Sequence, residues 1–138
     1  MLPGFGTERF TLRYSPVPLS RPRVLVVEDD PQLAHLYCSA LGLRGIACAR
    51  AGDGLAALRS IEEGRPSLIV LDLNLPSVTG WTILRELAGN PLTSDIPVIV
   101  VTGAEPTPDL PHAVVVLCKP CDPDHIAKIV ADHLPAPR

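Results

Sequence analysis

The chain has 138 residues, of which 46% are hydrophobic and 20% charged, and its formal net charge is −3. This size and composition predict one domain with an ordinary hydrophobic core. No basic run is interleaved with aromatic residues, and no apolar run approaches the roughly 20 residues that span a bilayer, so we expect neither nucleic-acid binding nor a membrane anchor. The first residues lack the pattern of a secretory signal, which predicts a cytoplasmic protein.

Residues 1–22 are interpreted as an N-terminal extension and linker. Within it, residues 9–14, RFTLRY, alternate polar and apolar side chains, the pattern of a half-buried strand. Three prolines between residues 16 and 22 then predict an extended spacer. The alternating segment therefore either packs back on the domain or docks on another chain.

Strand and helix patterns alternate from residue 23 onward. Strands are predicted at residues 24–27, 46–50, 68–71, 97–101 and 113–117, and all except the short second one are expected to be buried. Helices are predicted after Asp30, after Asp53, from Thr79 to Ala88, and after Asp122. This order predicts an α/β fold over residues 23–134, with a doubly wound parallel sheet, helices on both faces and a tail at residues 135–138.

Helical spacing also assigns apolar residues to the core. In chain order these are Leu33, Leu36, Tyr37, Ala40, Leu41, Leu55, Leu58, Ile61, Trp81, Leu84, Leu87, Ile126, Ile129, Val130 and Leu134. Residues 103–112 contain three prolines, which argue against a regular helix there.

The four cysteines, Cys38, Cys48, Cys118 and Cys121, lie in or beside apolar segments. This placement is typical of reduced thiols packed in a core. Cys118 and Cys121 form a C-x-x-C pair, a spacing found in redox and zinc sites. Because the chain has neither a second such pair nor a paired-histidine motif, we expect no zinc or redox site there.

Polar side chains follow four of the predicted strands. Glu28 and Asp29 follow the first, Asp72 the third, Thr102 the fourth and Lys119 the fifth. The ligand crevice of a doubly wound sheet lies outside the carboxyl ends of its strands, so we expect these side chains to meet there. Crowded carboxylates call for a cation, and an oxygen-only set suits Mg²⁺. Together, a carboxylate nucleophile, a metal, a hydroxyl and an ammonium are the parts of a phosphoryl-transfer site.

Four motifs connect this pattern with a known family. VLVVEDDP, IVLDLNLPSVTGW, PVIVVTG and LCKP resemble the acidic pair, the phosphoacceptor, the switch threonine and the Lys-Pro motif of response-regulator receiver domains of the chemotaxis-regulator type. The resemblance covers residues 23–134. It implies a flavodoxin-like, five-stranded parallel sheet of order 2-1-3-4-5.

The resemblance also implies a role for each acidic residue. Asp72 would accept a phosphoryl group, forming an aspartyl phosphate, from a phosphohistidine on a sensor histidine kinase or a histidine phosphotransfer protein. Asp29, Asp72 and the backbone carbonyl of Asn74 would bind Mg²⁺, the one cofactor expected, and Glu28 would act through a water.

Two further residues of the motifs would contact the phosphoryl group. Thr102 and Lys119 would bind its oxygens, and the Lys119–Pro120 bond would be cis. Such a two-component response regulator catalyses only its own phosphorylation and dephosphorylation, and signals by protein contact or by phosphorelay. Because residues 135–138 end the chain, we expect a single-domain regulator with a downstream protein target.

The chain departs from the family's pattern after the switch threonine. The proline-rich residues 103–112 stand where the family has its fourth helix, which we expect to be missing or degenerate. Val116 replaces an aromatic residue, and Cys121 replaces the Phe that commonly follows Lys-Pro. We therefore hypothesise that residues 103–112 form a mobile loop that becomes ordered on phosphorylation.

Two other functions stay open on the sequence. A pseudo-receiver that accepts no phosphate would keep the fold and act as a docking module, which the altered switch region allows. A haloacid-dehalogenase-type phosphatase also uses a strand-end Asp with Mg²⁺, but the second Asp that such an enzyme needs is replaced here by Asn74, and the chain has no length for a cap domain. The four histidines form no phosphorylated-histidine motif.

Overall fold

The computed structural model describes residues 23–103, 110 and 112–135. In chain order its elements are β1 (Arg23–Val27), α1 (Pro31–Leu43), β2 (Ala47–Ala51), α2 (Gly54–Glu63), β3 (Leu68–Leu71), α3 (Gly80–Ala88), β4 (Val98–Thr102), β5 (Ala113–Cys118) and α4 (Pro123–His133). The strands pair in the order β2-β1-β3-β4-β5, and every pairing is parallel. The predicted doubly wound sheet of order 2-1-3-4-5 is confirmed.

The hydrophobic core lies on both faces of this sheet. Successive side chains of a strand point to opposite faces, so Val24 and Val26 of β1 pack with α1 and α4. Leu25 and Val27 of the same strand pack with α2 and α3. Because both faces are covered, the three central strands are apolar except for Arg23 at the start of β1 and Thr102 at the end of β4.

Each helix begins after a side-chain cap. Asp30, Asp53, Thr79 and Asp122 accept hydrogen bonds from backbone N–H groups of the first helical turn. Such caps satisfy donors that a helix leaves unpaired and are worth about 1 kcal/mol each. The predicted helix starts are confirmed, and the strand-to-helix loops are therefore as short as expected.

Two of the predicted core leucines lie outside the core. Leu36 of α1 is 48% exposed and Leu55 of α2 is 44% exposed. Ala34 and Ala57 occupy the buried faces of these helices instead, with exposures of 3% and 0%. The helical spacing of apolar residues correctly predicted Ala40 as buried but missed Ala34 and Ala57, although small residues allow a helix to lie close to the sheet.

The fifth strand is an edge strand, and the prediction that it is buried was wrong. Its burial alternates along the strand, and Val114 and Val116 are 51% and 37% exposed. In a parallel sheet an edge strand has a neighbour on one side only, here β4. An apolar run alone does not distinguish an edge strand from a central one.

Cys38 and Cys48 form a disulfide between α1 and β2, so the prediction of reduced thiols was wrong for this pair. Their Cα atoms are 5.6 Å apart, a separation that a disulfide bridges. The two residues meet because α1 packs beside the edge strand β2, a proximity that the sequence spacing does not reveal. Cys118 and Cys121 are free thiols, as predicted, but Cys118 is exposed and not packed in the core.

Two predicted features fall outside the described residues. These are the N-terminal extension at residues 1–22 and most of the proline-rich segment, residues 104–109 and 111. The alternating strand, the missing fourth helix and the loop hypothesis therefore stay predictions, as does the division into extension, domain and tail. No helix in the described part of the chain is long and apolar enough to cross a membrane.

Candidate functional site

The polar residues that follow the strands meet at the carboxyl edge of the sheet. Backbone hydrogen bonds carry the strand pairing one residue further: Asp72 N–H donates to Val27 O at 3.0 Å, and Lys119 N–H donates to Thr102 O at 3.0 Å. The sheet itself thus fixes the backbone that carries the site. The residues brought together are Glu28, Asp29, Asp72, Thr102 and Lys119.

Three carboxylates form the acidic part of the site. One oxygen each of Glu28, Asp29 and Asp72 lies within 4.8 Å of the others. Glu28 and Asp72 are 3% and 5% exposed, whereas Asp29 faces solvent. Two of the three charges are therefore largely removed from water, which is unfavourable unless cations or hydrogen-bond donors compensate them.

Lys119 supplies part of that compensation. Its Nζ lies 2.7 Å from Glu28 Oε1 and 2.8 Å from Asp72 Oδ2, so one ammonium group bridges two carboxylates. The predicted cis Lys119–Pro120 bond directly follows and is confirmed. Because three carboxylates face a single ammonium, the cluster keeps an excess of negative charge.

Hydrogen-bond donors hold the other oxygen of Asp72. Thr102 Oγ1 donates to Asp72 Oδ1 at 3.2 Å, and the backbone N–H of Asn74 donates to the same oxygen at 3.0 Å. Thr102 is fully buried. The carboxylate of Asp72 is thus held by three donors from three separate segments, which orients it at the mouth of the site.

Burial and charge shift the pKa values in this cluster. Burial raises the pKa of Glu28 above its ordinary value of 4.5, and the contacts with Lys119 and the N–H of Asp30 only partly oppose that shift. Burial alone would lower the pKa of Lys119, but the hydrogen bonds to Asp72 and Glu28 outweigh it and raise that pKa. Lys119 therefore stays an ammonium group.

Gly80 supports the loop that carries Asp72, a role that the sequence alone did not reveal. A Cβ atom at this position would collide with Asp72 O and would lie 2.6 Å from Leu73 Cα. The N–H of Gly80 donates to Leu73 O at 3.0 Å, which closes the loop between β3 and α3. A glycine directly after the Thr79 cap was the available signal, but only the folded loop shows what it contacts.

The donor set suits a divalent cation that prefers oxygen. One carboxylate oxygen from each of Glu28, Asp29 and Asp72 lies within 4.8 Å of the others, so the three residues could together hold one such ion, directly or through water. The residues fit the ion predicted from the sequence.

Comparison with known families gives a match over most of the described domain. The family model for the response regulator receiver domain matches residues 24–131. Among curated proteins, the DNA-binding response regulator MtrA of Mycolicibacterium smegmatis is 39% identical over 90 residues, which are 65% of this chain and 38% of the relative. The chain thus spans about two fifths of that relative's length.

Solved structures share the fold. The signal receiver domain of a LuxO repressor protein from Vibrio parahaemolyticus superposes with a TM-score of 0.71 at 35% identity, covering 82% of this chain and 89% of that one. The chemotaxis protein CheY4 of Vibrio cholerae superposes with a TM-score of 0.74 at 24% identity, covering 83% and 99%. The second likeness concerns the fold alone.

Proposed function

The chain belongs to the response regulator receiver family and is homologous to two-component response regulators, and from this premise we propose that Asp72 is its phosphoacceptor. The phosphoryl group would come from a phosphohistidine on a sensor histidine kinase or a histidine phosphotransfer protein. The observation that carries the proposal is the position of Lys119 Nζ, within 2.8 Å of both Glu28 and Asp72.

The proposed step is a transfer between two nucleophiles. A carboxylate oxygen of Asp72 attacks the phosphorus, the histidine N–P bond breaks, and the bonding electrons return to the imidazole nitrogen. The product is an acyl phosphate on Asp72. Lys119 and Thr102, which contact the two oxygens of Asp72 before transfer, then bind the oxygens of the phosphoryl group. These donors stabilise charge that develops during transfer.

Mg²⁺ is the cofactor of this proposal. Asp29, Asp72 and the backbone carbonyl of Asn74 would hold it, and Glu28 would act through a water. When bound, the ion supplies positive charge against the phosphoryl oxygens. Asp29 is exposed and stands at the open side of the cluster, where an ion can enter without rearranging the core.

The proposal describes a signalling domain whose reactions are its own phosphorylation and dephosphorylation. It would act in the cytoplasm through protein contacts or phosphorelay. The relative from Mycolicibacterium smegmatis is named as DNA-binding, but this chain matches only 38% of it. We keep the expectation that the described domain contacts protein and not nucleic acid.

Intact mass after incubation with acetyl phosphate and Mg²⁺ tests the proposal. The wild-type chain should gain one phosphoryl group, and the adduct should depend on Mg²⁺ and disappear in Asp72→Asn. Asp53→Asn is the matched control, because Asp53 caps α2 outside the cluster and Asn caps a helix equally well. An adduct that survives in Asp72→Asn would refute the assignment.

Absence of any adduct would favour a different function. If the fold is intact by circular dichroism and a histidine-phosphorylated donor also fails, the domain is a phosphate-independent docking module. A phosphatase of the haloacid-dehalogenase type would instead release inorganic phosphate from phosphate esters at many turnovers. Asn74, which contributes a backbone N–H to Asp72, offers no carboxyl group for that chemistry.

A further inference from the structure

A groove between α2 and α3 lies away from the phosphoacceptor. Its volume is 940 Å³, within the size range of ligand and peptide sites. We call it the α2–α3 groove and define it by Leu58, Leu87, Leu92, Glu62, Glu63 and Glu86. These residues lie toward the C-terminal ends of the two helices and in the turn after α3, so the groove opens at the amino edge of the sheet, opposite Asp72.

The groove combines an apolar floor with an acidic rim. Leu92 is 76% exposed, an unusual state for a large apolar side chain that adjoins further leucines. Two arginines, Arg65 and Arg85, also line the groove. Arg65 is already held by Asp95 and by the carbonyl of Leu92, so the three glutamates outnumber the one remaining arginine. Within the described residues, the three rim glutamates form no ion pair. The surface therefore suits a segment with apolar and basic side chains.

The chain that precedes the domain emerges beside this groove. Arg23 is the first residue of β1, and its Nη2 donates to the carbonyl of Gly64 at 2.9 Å. Gly64 itself lines the groove. The backbone N–H of Arg23 is also anchored, to Ser67 Oγ at 3.3 Å. The preceding residues thus begin at the groove's edge.

That preceding chain contains a segment with the required chemistry. Phe10, Leu12 and Tyr14 alternate with Arg9 and Arg13, so an extended backbone presents an apolar side and a basic side. Residues 15–22 connect this segment to β1, and a proline-rich spacer of that length reaches about 25 Å. The spacer can therefore reach any part of the groove, since a helix of the length of α2 spans about 15 Å.

We propose that residues 9–14 dock in extended form in the α2–α3 groove of the same chain. The apolar side chains cover the half-buried Leu58 and the exposed Leu92, and the long arginine side chains reach the glutamates of the rim. A short tether holds the segment at an effective concentration in the millimolar range, so even weak intrinsic binding keeps it docked. Because the groove and Asp72 lie at opposite edges of the sheet, docking leaves the phosphoacceptor accessible.

Photo-crosslinking in the full chain tests this docking. p-Benzoylphenylalanine in place of Phe10 should crosslink within one chain to peptides of α2, α3 or the turn after α3. Crosslinks to β5, where Val114 and Val116 are exposed, would overturn the proposal, because they would show that the segment binds elsewhere on the domain. Crosslinks between two chains would also overturn it, because the segment would then bind to another copy of the chain.

A pair of leucine variants provides a second readout. Leu92→Asp should remove the crosslink and speed tryptic cleavage after Arg13 by about 2- to 10-fold, the range expected when a tethered contact of millimolar affinity is lost. Leu43→Asp is the matched control, since Leu43 is 86% exposed and lies outside the groove. Equal cleavage in both variants, or no crosslink in the parent chain, would overturn the proposal. Phosphorylation of Asp72 should be unchanged in both, which separates this test from that of the proposed function.

Discussion

Gly80→Ala is the substitution that most directly tests how the site is held in place. Gly80 opens α3, and its missing side chain leaves room for the backbone of Asp72 and Leu73. A methyl group there would collide with Asp72 O and would lie 2.6 Å from Leu73 Cα, so the loop must move by at least about 0.8 Å to reach the 3.4 Å of ordinary contact. The displaced atoms are backbone, which cannot rotate away as a side chain can.

The expected loss of stability follows from this geometry. Overpacking usually costs about 1–3 kcal/mol, and a backbone collision falls in the upper part of that range. We expect Gly80→Ala to lower the free energy of unfolding by about 2–3 kcal/mol. Because the displaced residue is Asp72, the proposed phosphoacceptor, adduct formation with acetyl phosphate should slow as well.

Urea unfolding followed by far-UV circular dichroism measures the effect. With a slope of about 1–2 kcal/mol/M, the midpoint should fall by about 1–3 M. Gly42→Ala is the control, because Gly42 is also helical but its Cβ would meet nothing within 4 Å. The free energy of unfolding of that variant should rise by about 0.5–1 kcal/mol, because alanine has a higher helix propensity than glycine. A Gly80→Ala protein as stable as the wild type would refute the account of a loop clamped against α3.

Three further predictions concern the cluster, a cap and the disulfide. Burial raises the pKa of Glu28 above 4.5, so the folded state binds this proton more tightly and stability is lost as pH rises through the raised pKa. Glu28→Gln should therefore be more stable than the wild type at pH 7 but not below about pH 4, as urea midpoints at both pH values will show. Asp30→Ala should lower the free energy of unfolding by about 1 kcal/mol in the same assay, because it removes the cap of α1. Cys48→Ser opens the ten-residue loop to Cys38 and should lower the free energy of unfolding by about 2–3 kcal/mol. A reducing agent should lower the free energy of unfolding of the wild type by a similar amount.

The parts of the fold that could be predicted are those encoded by neighbouring residues. The strand at residues 68–71 was predicted with the bounds that the structure has, because four apolar residues lie between turn-forming ones. Asp30 was recognised as a cap because Pro31 follows it. The meeting of Asp72 and Lys119 was also predictable, although 47 residues separate them. It required only the rule that parallel strands deliver their carboxyl ends to one edge.

The features that were missed depend on contacts between segments. The disulfide between Cys38 and Cys48 requires the distance from α1 to β2, and the exposure of Val116 requires the knowledge that β5 lies at the edge. The role of Gly80 likewise depends on which backbone atoms lie beside it. None of these distances can be inferred from the periodicity of the sequence, because each depends on how separate segments pack.

The charge balance of the cluster connects the fold with its proposed chemistry. A domain stabilised only by its core would not bury Glu28 and Asp72 beside the exposed Asp29 with a single ammonium as partner. Replacing such charges with apolar residues is often neutral or stabilising, so the arrangement is better explained by function than by folding. Lys119 compensates two carboxylates at once and can compensate neither fully. In the proposed mechanism, the remaining negative charge would attract a divalent cation, and the same Lys119 would meet a new anion once a phosphoryl group arrives. The unfavourable burial of Glu28 and Asp72 and the proposed affinity for a cation therefore have one cause, which is the excess of carboxylates at the carboxyl edge of the sheet.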